Sequence, residues 1–341
     1  MWEMSQLLGA KIHQPSSEEA SFVDKILAKI IGRPEHWTLA RQLSGQLQED
    51  DIVYCDGESL GIAIATLCGA RVSAKNKQYK RPKIAVLFHN SNRIRGRLAL
   101  KLFDVAKRID LFVTFTNSQT EFLRSYLRLP QEHIYEIISQ PPIDTSFFKP
   151  GLASVKKLRP LIASGGLEKR DYRTLANAIK DLDVDVKVCA YSPNAKKLKK
   201  TFPEAIPQNM SFDYYDWCDL VQLYRDSDLV VVPLFENNYQ AGMTTMLEAM
   251  ACRQPVIITR SPKAGIINEL IDLGIVTGFN PGDSVGLKEA IEKLLNDPQK
   301  AQAQAQKGYE KILERFNHHQ FIQSLVPNLF REHDHTQKAC N

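Results

Sequence analysis

NNYQAGMTTMLEAMACRQPVIIT, Asn237 to Thr259, holds the densest chemistry in the chain. A loop containing Gly242 runs into an apolar helical stretch that carries an acid, Glu248, in its second turn. The stretch then feeds the apolar run Pro255–Thr259. A helix leaves the N–H groups of its first turn without partners and presents the positive end of its dipole there. Loop amides from Ala241 through Gly242 and Met243 to Thr244 therefore make an anion site, with Thr244 as the expected N-cap. Glu248, one turn inside, is placed to accept two hydrogen bonds from a ribose diol. Spacing alone equally suits a helix whose Glu248 is merely exposed.

On either side of this stretch, strand and helix patterns alternate. Leu161–Ala163, Val184–Ala190, Leu229–Pro233, Pro255–Thr259 and Ile275–Gly278 read as strands, and Asp171–Lys180, Asp219–Asp226, Thr245–Cys252 and Ser284–Leu295 as helices between them. The first half repeats the plan. Strands are expected at Asp51–Tyr54, Lys83–Phe88, Leu111–Phe115 and His133–Ile138, with helices such as Leu60–Leu67 and Arg97–Lys107 between them. Such alternation implies α/β architecture with mostly parallel sheets covered on both faces. The turn-rich, aperiodic segment Pro141–Pro160 is the expected linker. The expected domains are 1–148, 149–325 and a C-terminal tail, 326–341. Ala301–Leu329 reads as a polar surface helix of the second domain, and the tail, with His333 and His335, as frayed. Ligands of such sheets bind beyond the carboxyl ends of the strands.

Composition excludes several classes. With 341 residues, 43% hydrophobic and 24% charged, the chain suits a soluble protein with two packed cores. No apolar run approaches a membrane span, and no signal peptide opens the chain. The six cysteines form no CxxC pair, and most sit in apolar contexts, so they read as small buried hydrophobes of a cytoplasmic protein. Net charge is only +5, but between Arg71 and Arg108 stand twelve Lys or Arg against one acid, Asp104. That stretch reads as a solvated basic surface or as a peripheral contact with anionic lipid at the inner membrane surface; Arg93–Arg108 has the look of a basic amphipathic helix. Nucleic acid is disfavoured because no aromatics for stacking are interleaved there.

LEAMACRQPVI, Leu247–Ile257, resembles the family-4 type of retaining glycosyltransferases (glycosyl transferases group 1). Their pattern is an acid, seven residues, then an acid followed by Ala-Met-Ala and a Pro-Val-Ile strand. The second acid matches Glu248, while Gln240 stands where the first is expected, in the YQAG variant of the motif. The resemblance implies a GT-B fold, two Rossmann-like domains with a cleft between them, and transfer of a sugar from a nucleotide-sugar donor. It implies that Glu248 holds the ribose and that Gln240 contacts donor-sugar hydroxyls as a neutral amide. SGGLEKRDYRTLANAI, Ser164–Ile179, is similar to the family's phosphate-binding turn at Gly165. Gly166 stands where an arginine is expected, so Arg170, with Lys169 in reserve, is the implied cation beside the leaving diphosphate. In VLFHNSN, His89 follows a strand, where a family histidine lines the reacting side. Asn117 and Ser118, and earlier Asp56 and Glu58, are strand-end candidates for positioning an acceptor, although a helix N-cap role suits either carboxylate equally. No metal or other cofactor is expected.

Family members begin with a strand and a glycine-rich loop. This chain begins MWEMSQLLGAKIHQP, Met1–Pro15, which reads as the helix after that loop, followed by the second strand. The first strand and its loop are expected to be absent. Alternatives remain. A GT-A enzyme would use an Asp-x-Asp, and both DLDVD and RDSD contain the spacing, but neither follows an apolar strand. No Gly-x-Gly-x-x-Gly loop supports a nicotinamide dehydrogenase. A sugar-nucleotide epimerase shares the architecture, and a degenerate GT-B protein would bind a nucleotide sugar or a partner without transfer.

Overall fold

The computed structural model describes residues 2–16, 20–69, 81–89, 91–137, 142–154, 157–192, 197–237, 239–262 and 265–331. The chain divides into two units, one from Met1–Gln140 together with Phe321–Asn341, the other Pro141–Gln320.

The first unit opens with three helices, α1 (Trp2–Leu8), α2 (Phe22–Ala28) and α3 (Pro34–Ser44). β1 (Ile52–Cys55), α4 (Glu58–Cys68), β2 (Lys83–Phe88), α5 (Ile94–Leu102), β3 (Leu111–Thr114), α6 (Asn117–Leu127) and β4 (Ile134–Glu136) then alternate. The strands form a parallel sheet in the sequential order β1-β2-β3-β4. The second strand expected after the first helix is not formed. Among the described residues β1 is the first strand, and the chain passes through α2 and α3 before reaching it.

β2 shows why the C-terminal segment cannot stay with the second unit. Successive strand residues point to opposite faces. Ile84, Val86 and Phe88 pack with Trp37 of α3 and Ile62 of α4, and Ala85 and Leu87 fall on the other face. That face is covered by Met4 of α1 and by Ile322, Leu325 and Leu329. These last three belong to α13 (His318–Phe330). Lys83 Nζ donates to the Leu329 carbonyl at 2.7 Å. Residues from Phe321 onward thus complete the first unit, in place of the continuous surface helix of the second domain expected over Ala301–Leu329. The tail beyond Arg331, with His333 and His335, lies outside the described residues.

The second unit holds β5 (Leu161–Gly165), α7 (Tyr172–Ile179), β6 (Asp185–Cys189), β7 (Met210–Asp213), α8 (Trp217–Asp226) and β8 (Leu229–Val232). After these come α9 (Met243–Ala251), β9 (Val256–Thr259), α10 (Gly265–Asp272), β10 (Thr277–Phe279), α11 (Ser284–Leu295) and α12 (Pro298–Arg315). All six strands are parallel, in the order β10-β9-β8-β5-β6-β7. From β5 the chain builds outward through β6 and β7, then returns to place β8 on the other side of β5. That reversal is a topological switch point, where loops leave the carboxyl ends of two adjacent strands in opposite directions and open a crevice. Two apolar layers hold the sheet. Val230, Val232 and Ile258 face α9 and α12, and Ile162, Val186, Val188 and Ile257 face α7 and α11.

Candidate functional site

The turn after β5 and the loop after β8 flank the switch point and are tied together. Phe235 N donates to the Lys169 carbonyl at 2.9 Å and Asp171 N to the Pro233 carbonyl at 3.0 Å. Gly166 adopts φ +89°, and a Cβ there would stand 2.6 Å from an Arg170 guanidinium nitrogen. Conformation and space both require glycine at this point. This explains the departure from the arginine expected here, because the Arg170 side chain folds back under the turn. Arg170 is 3% exposed. Its Nε donates to the Gly165 carbonyl at 2.6 Å, one terminal nitrogen to the Glu168 carbonyl at 2.9 Å, and the other to Thr245 Oγ1 at 2.9 Å. Lys169, in contrast, is exposed at a left-handed φ of +57°.

α9 starts two residues earlier than the motif suggests. Gly242 is its N-cap, at φ +82°, with no side-chain cap. A Cβ on Gly242 would lie 2.8 Å from Val232 Cγ1, so the loop approaches β8 too closely for any larger residue. Thr244 is therefore inside the first turn and exposed, and not the N-cap. Met246 N is the first amide to bond back, to the Gly242 carbonyl at 3.1 Å. The preceding amides, Met243 to Thr245, form the positive end of the helix.

Glu248 is not on an exposed face; it is 6% exposed. Tyr224, fully buried at the end of α8, donates its hydroxyl to Glu248 Oε2 at 3.1 Å. Burial pushes the Glu248 carboxyl up to about 7 from an ordinary 4.5, while the Tyr224 hydrogen bond and the charge of Arg170 pull it back. The same burial and the adjacent carboxylate hold the Tyr224 hydroxyl far above its usual range, so it remains a donor. Neither Tyr224 nor Thr245 was legible as a site residue. Tyr224 sits at helical spacing with Val221 in an apolar stripe, and the sequence marks it only as core. A Cβ at Gly165 would stand 3.3 Å from the Tyr224 hydroxyl, so the turn, α8 and α9 converge on one small volume.

Gln240 precedes α9 and is half-buried, with its amide oxygen shielded and without a hydrogen-bond partner among the described residues. An unpaired buried carbonyl costs about 1–3 kcal/mol, so this atom is poised for a donor from outside the fold. Its loop is held by Asn237, which donates to the Phe235 carbonyl and to Ser261 Oγ, both at 3.1 Å. Tyr239, next to Gln240, hydrogen-bonds Glu168 of the turn after β5.

In the first unit the structure gathers His89, Asp56 and Glu58. His89 is exposed after β2; its backbone N–H donates to Glu58 Oε2 at 3.0 Å, and its Nε2 lies 3.0 Å from the Asp56 carbonyl. The ring packs on Phe115 with centroids 5.3 Å apart. Gly57 caps α4, so neither Asp56 nor Glu58 serves as the side-chain N-cap. Thr116 caps α6 through Gln119 N, which leaves Asn117 and Ser118 exposed in its first turn. The Asp-x-Asp spacings are used internally. Asp185 and Asp183 pair with Arg159; Asp228 pairs with Lys157 and accepts from Leu161 N; Asp226 accepts from Ser154. Cys55, Cys68, Cys189 and Cys252 are buried free thiols whose acidity burial suppresses, and Cys218 is exposed.

Two Rossmann-like units with this topology define a GT-B fold, and the chain is similar to solved glycosyltransferase structures. HepE of Anabaena, solved with UDP-glucose, superposes with a TM-score of 0.64 at 16% identity, covering 89% of this chain and 83% of its own. Sucrose-phosphate synthase of Thermosynechococcus elongatus gives 0.63 at 14% identity, over 92% and 80% of the two chains. A glycosyltransferase of Rickettsia africae gives 0.60 at 14%, over 96% and 86%. At the level of sequence, residues 160–297 match the family model of glycosyl transferases group 1, a stretch that holds the whole switch-point site. None of the curated proteins is significantly similar to the chain in sequence. No described helix is long and apolar enough to cross a membrane.

Proposed function

We infer that this chain transfers a glycosyl group from a nucleoside-diphosphate sugar held at the switch point of the second unit. The observation that carries the reading is the convergence of Glu248, the α9 amides and the glycine turn after β5 on that crevice. Glu248 accepts the ribose hydroxyls, and the diphosphate lies against the amides of Met243 and Thr244 with Lys169 as the exposed cation. Arg170 positions the turn and Thr245 from beneath. The orphaned Gln240 oxygen accepts from a hydroxyl of the donor sugar. In the retaining, metal-independent course we favour, the bond from the anomeric carbon to the diphosphate breaks as the acceptor hydroxyl attacks from the same face. The acceptor proton passes to the departing phosphate. Amide dipoles and the lysine stabilise the charge that gathers there. His89, with Asp56, Glu58, Asn117 and Ser118, forms the acceptor side, and the acceptor is a lipid-linked or glycan hydroxyl. Support comes from the group 1 match over 160–297 and from HepE, whose structures carry UDP and UDP-glucose.

Calorimetric titration with UDP, GDP and ADP tests the reading. Micromolar binding of one nucleotide is expected, weakened at least tenfold (about 1.4 kcal/mol) by Glu248→Ala. A folded chain that binds none of the three overturns it. Binding without product across many acceptors identifies a nucleotide-sugar binder in place of a transferase, the reading that the internal engagement of Arg170 favours. Turnover of the donor sugar without any acceptor identifies an epimerase.

A further inference from the structure

Of the basic stretch Arg71–Arg108, residues 71–80 lie outside the described residues, and α5 carries an apolar surface on its outer side. Ala99 and Leu100 are buried, and Phe103, just past the helix, joins them in the core. The opposite side is neither polar nor covered. Ile94, Leu98 and Leu102 are 88%, 58% and 55% exposed. Residues four apart stand one above another on a helix, so these three side chains make a continuous aliphatic ridge pointing away from the core. At 100° per residue, Arg95 flanks the ridge on one side and Arg97 and Lys101 on the other, with Arg93 at its start; all four are exposed.

The helix is firmly seated despite this ridge. The Tyr126 hydroxyl of α6 donates to the Arg97 carbonyl at 3.1 Å, the Arg97 guanidinium carbon stands 5.0 Å from the Tyr126 ring centre, and Lys101 Nζ 4.7 Å. The uncovered aliphatic side chains are therefore a property of a packed element. Burying three large aliphatics costs nothing in structure, since the fold already has its core; leaving them in water is unfavourable.

We propose that the outer face of α5 docks the first unit onto an anionic lipid bilayer, with Ile94, Leu98 and Leu102 entering the acyl boundary and the flanking cations meeting lipid phosphates. A ridge of aliphatics bordered on both sides by long cationic side chains matches that layered partner, apolar below and negative above. A second copy would bring the same sign of charge to the same face. α5 follows β2 through the His89 loop, so the docked edge of the unit is also the edge that carries His89, Asp56 and Glu58. An acceptor presented at the lipid surface would meet them there.

Sedimentation with vesicles of phosphatidylcholine doped with phosphatidylglycerol tests the proposal, with pure phosphatidylcholine vesicles as the reference. The full chain should sediment with the doped vesicles at low salt and not with the reference. Leu98→Ser combined with Leu102→Ser should weaken the partition by about tenfold or more. Arg95→Gln should weaken it by about fivefold, the effect of one cation near the surface. Since these side chains are exposed, thermal melting of the variants should match the parent, which separates lost docking from lost folding. Three outcomes would overturn the proposal. One is a folded chain that ignores anionic vesicles. Another is vesicle binding that survives the Leu98 and Leu102 substitutions. The third is self-association without lipid that the same substitutions abolish, which would make the ridge a contact between copies or with a protein partner.

Discussion

The two sheets are made from the same parallel strands but wound in different ways. In the first unit each new strand is added on the same side, β1 to β4, so every loop at the carboxyl edge leaves in the same sense. In the second, the chain returns across β5 to lay down β8, and the two loops on either side of that return diverge. The contrast shows in the side chains. The second unit gathers buried, mutually bonded polar groups, Glu248, Tyr224, Arg170 and Thr245, at its carboxyl edge. The first unit leaves His89, Asp56, Asn117 and Ser118 exposed there. A switch point makes a crevice that can desolvate a ligand; a one-way sheet offers an edge.

The largest effects should therefore fall on the second unit. Arg170→Met removes three hydrogen bonds and leaves the Gly165 and Glu168 carbonyls and Glu248 without their cation. A loss of about 3 kcal/mol in urea unfolding is expected, together with loss of nucleotide binding. Little change in either would mean that the turn is held by its backbone bonds to the loop after β8 alone.

Glu248 gives the second unit a pH dependence of its own. In the unfolded chain the carboxyl releases its proton near 4.5, but in the fold it keeps it to about 7. The folded state thus binds more protons across that window, and stability should fall as pH rises through it. A shift of that size corresponds to about 3 kcal/mol, and Glu248→Gln should remove most of that slope in denaturation measured at pH 4 to 8. The same titration should act oppositely on the ligand. A carboxylate accepts from two ribose hydroxyls and a carboxylic acid less well, so nucleotide affinity should rise as pH passes 7. An affinity flat from pH 6 to 8 would remove Glu248 from the ribose.

The first unit should respond most weakly. His89→Ala touches an exposed ring, and its cost in stability is expected below about 0.5 kcal/mol. Nucleotide affinity should stay at the parent value while transfer falls roughly a hundredfold. A parallel loss of nucleotide binding would break the contrast between the units.

Much of this architecture follows from local pattern. Apolar runs such as Lys83–Phe88 and Leu229–Val232 can only be strands buried on both faces, and the alternation with helical spacing leaves parallel α/β sheets as the outcome. Gly242 was legible because backbone chemistry at a helix start needs particular residue types in a particular order, whereas Glu248 and the turn at Gly165 were singled out by the family resemblance. The neighbours that complete the site were not legible. Nothing near Tyr224 in the chain signals that its hydroxyl meets a carboxylate 24 residues later, and nothing near Arg170 signals Thr245, 75 residues on.

The sequence by itself determined the fold class and the glycine loop that opens α9, because these rest on periodicity and on short-range steric demands. Tertiary structure alone decided three things. It turned Arg170 inward, since Gly166 leaves the space under the turn that its guanidinium fills. It made Glu248 a weaker acid by burying it where α9 packs against Tyr224 of α8. It also returned α13 to the first sheet, whose odd-numbered β2 side chains, Ala85 and Leu87, needed an apolar cover that only a distant part of the chain supplies. Burial depends on which surfaces meet, and that is a property of the folded whole.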